Sequence, residues 1–242
     1  MYRVKIILPV ATDAYVGFVS RETACFALDP RFEFDIEVLA HGSESIECEY
    51  DSAMASPYII EAAERAERDG FDGVVIYCFV DPAVKACKEM LGIPVVGAGE
   101  AGSLFGVLLG RRFSVLTVIK QTVALTREIV EGAVGPGQLA SVRAVDIPVA
   151  ELGSSADDLY GALLKCGREA VAEDGAEALV LGCTCMVGVA EKLQKEISAT
   201  AGAFVPVVSP GAASLHLVQS LVLLNYRQSG VRFMPPPKKM RR

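Results

Sequence analysis

Asp69-Gly70-Phe71-Asp72-Gly73-Val74-Val75-Ile76-Tyr77-Cys78 and Asp174-Gly175-Ala176-Glu177-Ala178-Leu179-Val180-Leu181-Gly182-Cys183 are two copies of one pattern, 105 positions apart at both ends. Each holds a helix-ending glycine, a short aliphatic run and a cysteine. Such a run, bounded by turn residues and without polar alternation, reads as a strand buried on both faces. The echo extends outward. Ile93-Pro94-Val95-Val96 returns as Val205-Pro206-Val207-Val208, and the apolar run at residues 4–10 has a counterpart at 113–119. With runs at 34–40, 73–78 and 93–97, and then 141–147, 178–183 and 205–209, the chain reads as two sets of four strands in the same order.

Helical patterns fill the intervals. Ser56 reads as an N-cap with Pro57 at the first helical position, and Ile59, Ala63 and Ala66 form the apolar stripe before Gly70. Ser155 reads as the cap of another helix, with Leu159, Leu163, Cys166 and Ala170 on its inward face. Strand and helix in alternation predict an α/β fold. With the repeat, it should comprise two similar parallel-sheet α/β lobes.

Composition narrows the class of function. The 242 residues are 52% hydrophobic and 22% charged, with a formal net charge of −7. A sizeable core is therefore expected, and nucleic-acid partners are not, because phosphate binders concentrate Lys and Arg. The basic run Lys238 to Arg242 follows three prolines and reads as a frayed tail. No apolar stretch approaches the ~20 residues that span a bilayer, and the apolar part of Met1 to Ile7 is too short for a signal peptide. The expectation is a soluble, cytoplasmic protein with no membrane partner. Seven cysteines, with no CxxC pair, suit reduced thiols rather than a disulfide framework or a zinc site.

Two of those thiols stand out. In parallel α/β sheets, ligands bind beyond the carboxyl ends of the strands. Cys78 and Cys183 occupy equivalent ends of the two copies. Asp81-Pro82 reads as the start of a helix beside Cys78, and Thr184 as a similar start beside Cys183. A helix N-terminus lowers a thiol's pKa. Facing each other across a pseudo-twofold, the two thiols could remove a proton from one face of a carbon and return it to the other. Cys87 and Cys166 fall on apolar stripes and read as core. Cys25 and Cys48 have no identifiable chemical neighbours, and packing is favoured for Cys185. His216 reads as structural, while His41, at a strand end, is a remote candidate for the cleft.

At these residues the chain resembles the aspartate/glutamate/hydantoin racemase superfamily, most closely its hydantoin and allantoin racemase branch. The matching segments begin with Ser45-Ile46-Glu47 and Tyr50-Asp51, then Cys78-Phe79-Val80-Asp81-Pro82. They continue with Pro94-Val95-Val96-Gly97-Ala98-Gly99-Glu100-Ala101, Arg112 to Thr117, and Leu181-Gly182-Cys183-Thr184. The resemblance implies two α/β lobes related by a pseudo-twofold with the active site between them, and a cofactor-independent isomerase with Cys78 and Cys183 as its two bases. It also implies a small-molecule substrate held near Thr12, Ser45, Phe79, Thr117 and Thr184, no metal, and a homo-oligomer. By the same analogy the first lobe is discontinuous, residues 1–99 plus 211–242, and the second is 100–210. Two departures bear on the substrate. Leu8-Pro9-Val10-Ala11-Thr12 stands where the hydantoin branch carries Asn-Pro-Asn-Thr, and Cys183-Thr184 is more like the amino-acid racemases. A maleate-isomerase-type enzyme using the same cysteines, or a non-catalytic small-molecule-binding relative, are the alternatives.

Overall fold

Both copies of the repeat form the same unit in the computed structural model. It describes residues 1–26, 28–152 and 156–240, the side chains of Cys25 and Ala156 excepted. The first unit holds β1 (Tyr2–Leu8), α1 (Val16–Cys25), β2 (Phe32–Val38), α2 (Glu49–Arg68), β3 (Gly73–Ile76), α3 (Val84–Met90) and β4 (Val95–Gly97), followed by α4 (Ala98–Leu109). The second holds β5 (Phe113–Thr117), α5 (Thr122–Val134), β6 (Leu139–Ala144), α6 (Ala156–Ala172), β7 (Ala178–Leu181), α7 (Ala190–Ala201) and β8 (Val207–Val208), followed by α8 (Pro210–Leu223). The strand orders are β2-β1-β3-β4 and β6-β5-β7-β8, and every pairing is parallel. The α/β architecture of two equivalent parallel sheets is as the repeat predicts.

The repeat is also legible in hydrogen bonds. Asp72 accepts the Arg3 backbone N–H at 2.7 Å, and its counterpart Glu177 accepts that of Arg111 at 2.6 Å. Each acid thus ties the turn before its strand to the start of the neighbouring strand. Gly70 and Gly175 sit at φ +78° and +69°, the left-handed geometry a side chain resists, as the chain turns from helix into strand.

The two sheets share a core. Along β7, Ala178 and Val180 face the cluster that includes Val4, Ile6, Val75 and Leu215, whereas Leu179 and Leu181 face a second one with Leu163, Leu193 and Ile197. Period-two alternation places one strand between two apolar layers. The last helix of each unit crosses over: α8 packs on β3 and β4, and α4 packs on β7 as well as on α8 and α5.

Several expected helix starts move. Ser56 and Pro57 lie inside α2, which begins at Glu49 after an extended Cys48. The start is set upstream, where Asp51 accepts the Glu47 N–H at 3.0 Å and the Cys48 S–H at 3.2 Å. Ser56 instead donates to the Ser52 carbonyl at 2.6 Å. Asp81 does not cap α3 either, whose N-cap is Ala83 at φ 59°. Its carboxylate accepts the N–H groups of Gly99 at 2.8 Å and Glu100 at 2.6 Å, and so caps α4. Glu22 does the corresponding work at α8, accepting from Ser209 Oγ at 2.5 Å and from the Ala212 N–H. The Ser155 cap lies outside the described residues; the α6 stripe of Leu159, Leu163 and Ala170 is buried.

Candidate active site

Cys78 and Cys183 each lie two residues beyond the carboxyl end of a central strand, β3 and β7. The preceding residues are anchored alike, Tyr77 N–H to Ile7 O at 2.9 Å and Gly182 N–H to Leu116 O at 2.8 Å. Past that anchor each chain turns, and the backbone N–H two residues on points at the sulfur: Val80 at Cys78, and Cys185 at Cys183 at 3.4 Å. The two sulfurs line one cavity of about 50 Å³, together with Leu8, Pro9, Val10, Tyr15, Ser45, Ile46, Tyr77, Val149, Thr184 and Cys185. A neighbouring space of about 200 Å³, which includes Thr12, Phe18 and Glu44, shares Tyr15, Val149 and Cys185 with it.

The cleft is stitched across the lobes. Thr184 Oγ1 donates to the Tyr77 carbonyl at 3.4 Å, and Glu47 Oε1 accepts the Val149 N–H at 2.9 Å. Tyr15 ends a short 3-10 turn, Asp13–Tyr15, capped by Thr12 Oγ1 accepting from Ala14 N at 3.3 Å. Burial, and then the neighbouring Cys185 and Cys183, push the Tyr15 phenol up to about 12.

The two thiols are electrostatically unlike. Burial pushes Cys78 up to about 12, so it holds its proton at neutral pH. Cys183 is held below the ordinary thiol range by hydrogen bonds from Cys185, against the opposing effect of burial. The expected cause, a helix start beside each cysteine, is not what the structure provides. The chain after Cys78 passes through left-handed Asp81 and Ala83 before α3, and α7 begins only at Ala190.

Of the other expected binding residues, Ser45 and Thr184 line the inner cavity and Thr12 the outer one. Phe79 and Thr117 do not line either. Phe79 is buried in the core, and the Thr117 hydroxyl is engaged with Thr122 at 2.7 Å. Cys87 is core, as its stripe predicts. His41 is exposed with its ring 5.2 Å from that of Tyr58, away from the cavity, and His216 lies edge-on to Phe26. Tyr15, and Glu47 as a lobe-to-lobe partner, are not read from the sequence, and Cys185, for which packing is favoured there, lines the cavity instead. Only Cys185 carried a signal, its separation of two from a strand-end cysteine.

Residues 4–218 match the family model described as Asp/Glu/Hydantoin racemase. Among curated relatives, a hydantoin racemase of Paenarthrobacter aurescens is 36% identical over 90% of this chain and 86% of its own. Among solved structures, the allantoin racemase from Pseudomonas fluorescens superposes with a TM-score of 0.89 at 27% identity, covering 98% of this chain and 99% of that one. The allantoin racemase from Klebsiella pneumoniae gives 0.88 at 30% identity, covering 99% and 95%. With its twin parallel sheets and paired strand-end cysteines, this chain belongs to the aspartate/glutamate/hydantoin racemase family and is an isomerase of that kind.

Proposed function

We propose that the chain racemises 5-monosubstituted hydantoins with an apolar substituent, by proton transfer between Cys183 and Cys78 and without a cofactor. The observation that carries this reading is the pair of cysteines, from equivalent strand ends of the two sheets, lining one cavity, Cys183 held below the ordinary thiol range and Cys78 pushed above it. The C5 hydrogen of a hydantoin is acidified by the adjacent carbonyl. The Cys183 thiolate takes it from one face, and the Cys78 thiol delivers its own proton to the other. The exchange leaves Cys183 as thiol and Cys78 as thiolate, the reverse pairing, which is competent for the opposite enantiomer. Each group serves as acid in one direction and base in the other, as microscopic reversibility demands.

The apolar preference rests on Leu8, Pro9 and Val10. They form one wall, with Ile46 and Val149 beside them. A ureido substituent such as that of allantoin would leave its hydrogen-bonding groups unpaired against this wall, a cost of about 1–3 kcal/mol for each buried polar group. Allantoin racemases are nonetheless close in fold, so both substrates belong in the test. The inner cavity of about 50 Å³ is well below the ~300 Å³ of an ordinary ligand pocket. Binding therefore calls for the Asp13–Tyr15 and Val149–Glu151 turns to part and join it to the outer space.

Racemisation of 5-benzylhydantoin and of allantoin, followed by polarimetry, with C5 deuterium wash-in from D2O, tests the reading. The expected result is turnover with wash-in, greater kcat/KM on the benzyl compound, and loss of turnover in both Cys78→Ser and Cys183→Ser. Turnover that survives both substitutions would refute the two-cysteine mechanism. A preference for allantoin would refute the substrate assignment alone.

A further inference from the structure

The two copies of the repeat form an internal comparison. Val80 and Cys185 stand 105 positions apart, as Cys78 and Cys183 do, and each directs its backbone N–H at the sulfur two residues earlier. Burial opposes ionisation at both sulfurs. The side chains at the two equivalent positions differ: Val80 is buried and apolar, whereas Cys185 carries a thiol and lines the same cavity as Cys183. We propose that Cys185 is a positioning residue, whose S–H and backbone N–H together hold Cys183 as the thiolate base.

The surroundings make such a donor necessary. Glu47, from the segment before α2, opposes ionisation of Cys183. Glu44 and Tyr15 lie close by, Glu22 faces Cys185 from α1, and Cys78 faces it across the cavity. Of these groups it is Glu47 whose charge acts on Cys183, making a second negative charge there more costly. A thiol donating to a thiolate acts in the other direction: the hydrogen bond to Cys183, with burial, pushes the Cys185 thiol well up, and the same bond lets Cys183 ionise more readily. Cys185 touches both cavities, so a substrate arriving through the outer one meets it beside the base. The role in catalysis rests on the two-cysteine reading above; the hydrogen bond and its effect on the thiol do not.

The test is therefore made on the thiol itself. Iodoacetamide alkylation of Cys183 is followed against pH by fragment-resolved peptide mass spectrometry in the wild type and in Cys185→Val, Cys185→Ala and Cys185→Ser. Cys185→Val reproduces the arrangement around Cys78. Cys185→Ala serves if valine is too bulky to fold, which the far-UV circular dichroism spectrum reports. The expected result is an upward-shifted alkylation midpoint in the Val and Ala variants, slowing Cys183 alkylation at pH 7 by about tenfold or more. The Ser variant, which retains a donor, should recover part of the loss, and Cys78 in the same digests should keep its rate. A Cys183 midpoint unchanged in folded Val or Ala variants would overturn the proposal. Because no substrate is involved, failure of the racemase reading leaves this measurement intact.

Discussion

Glu22 should make this fold lose stability as pH rises through neutrality. The carboxyl is 1% exposed, pinned beneath the start of α8 by Ser209 and the Ala212 N–H, and its Oε2 has no hydrogen-bond partner. Burial outweighs the two hydrogen bonds and pushes its pKa from 4.5 up to about 7. The folded protein then binds the proton more tightly than the unfolded chain, so stability is full below about 4.5 and declines until pH passes about 7. That displacement is worth about 3 kcal/mol. Glu22→Gln keeps a carbonyl acceptor for Ser209 and removes the titration. Urea unfolding of both proteins at pH 4.5 and pH 8.5 isolates the effect, since every other titrating group is common to the pair. The variant's advantage should grow by about 3 kcal/mol between the two pH values. A difference that does not change with pH would show that the Glu22 carboxyl is not neutralised on folding and would refute the reasoning.

Asp81→Ala leaves the Gly99 and Glu100 N–H groups without their acceptor, so a loss of about 2–4 kcal/mol is expected in chemical denaturation, with slower turnover as the loop after Cys78 loosens. Cys78→Ser and Cys183→Ser should each reduce kcat for hydantoin racemisation by about 10²-fold or more while leaving the unfolding midpoint nearly unchanged. Gly106→Ala would put a methyl 2.8 Å from the Phe113 ring, where α4 meets the second sheet, and a destabilisation of about 1–3 kcal/mol should appear as a lower Tm. Leu163→Ala empties a fully buried position between α6 and the second sheet and should cost about 2–5 kcal/mol in the same assay.

The strands were legible because local pattern determines them. Runs such as 74–76 and 178–181 are aliphatic throughout, short, and flanked by turn residues, which suits a strand covered on both faces better than a helix. Their repetition, ending in Cys78 and Cys183, is enough to predict two equivalent sheets and the pair of thiols. Helix ends were less legible because their capping partners are remote in sequence. Asp81 looks like the cap of the helix that follows it, yet serves α4, 18 residues on, and Glu22 reaches Ser209 across 187 residues. A carboxylate satisfies whichever N–H groups the packing brings near, and local sequence does not specify which.

The same division runs through the site. The sequence by itself determined that Cys78 and Cys183 are equivalent, because equivalence is a property of the repeat. Only the tertiary structure decided that they do not ionise with equal ease. Ionisation depends on which donors and charges converge on a sulfur: Cys185 and, from a distant segment, Glu47 act on Cys183, whereas Val80 and Asp81 act on Cys78. It decided likewise that Phe79 and Thr117, adjacent in sequence to the right places, turn into the core, whereas Tyr15 turns into the cleft.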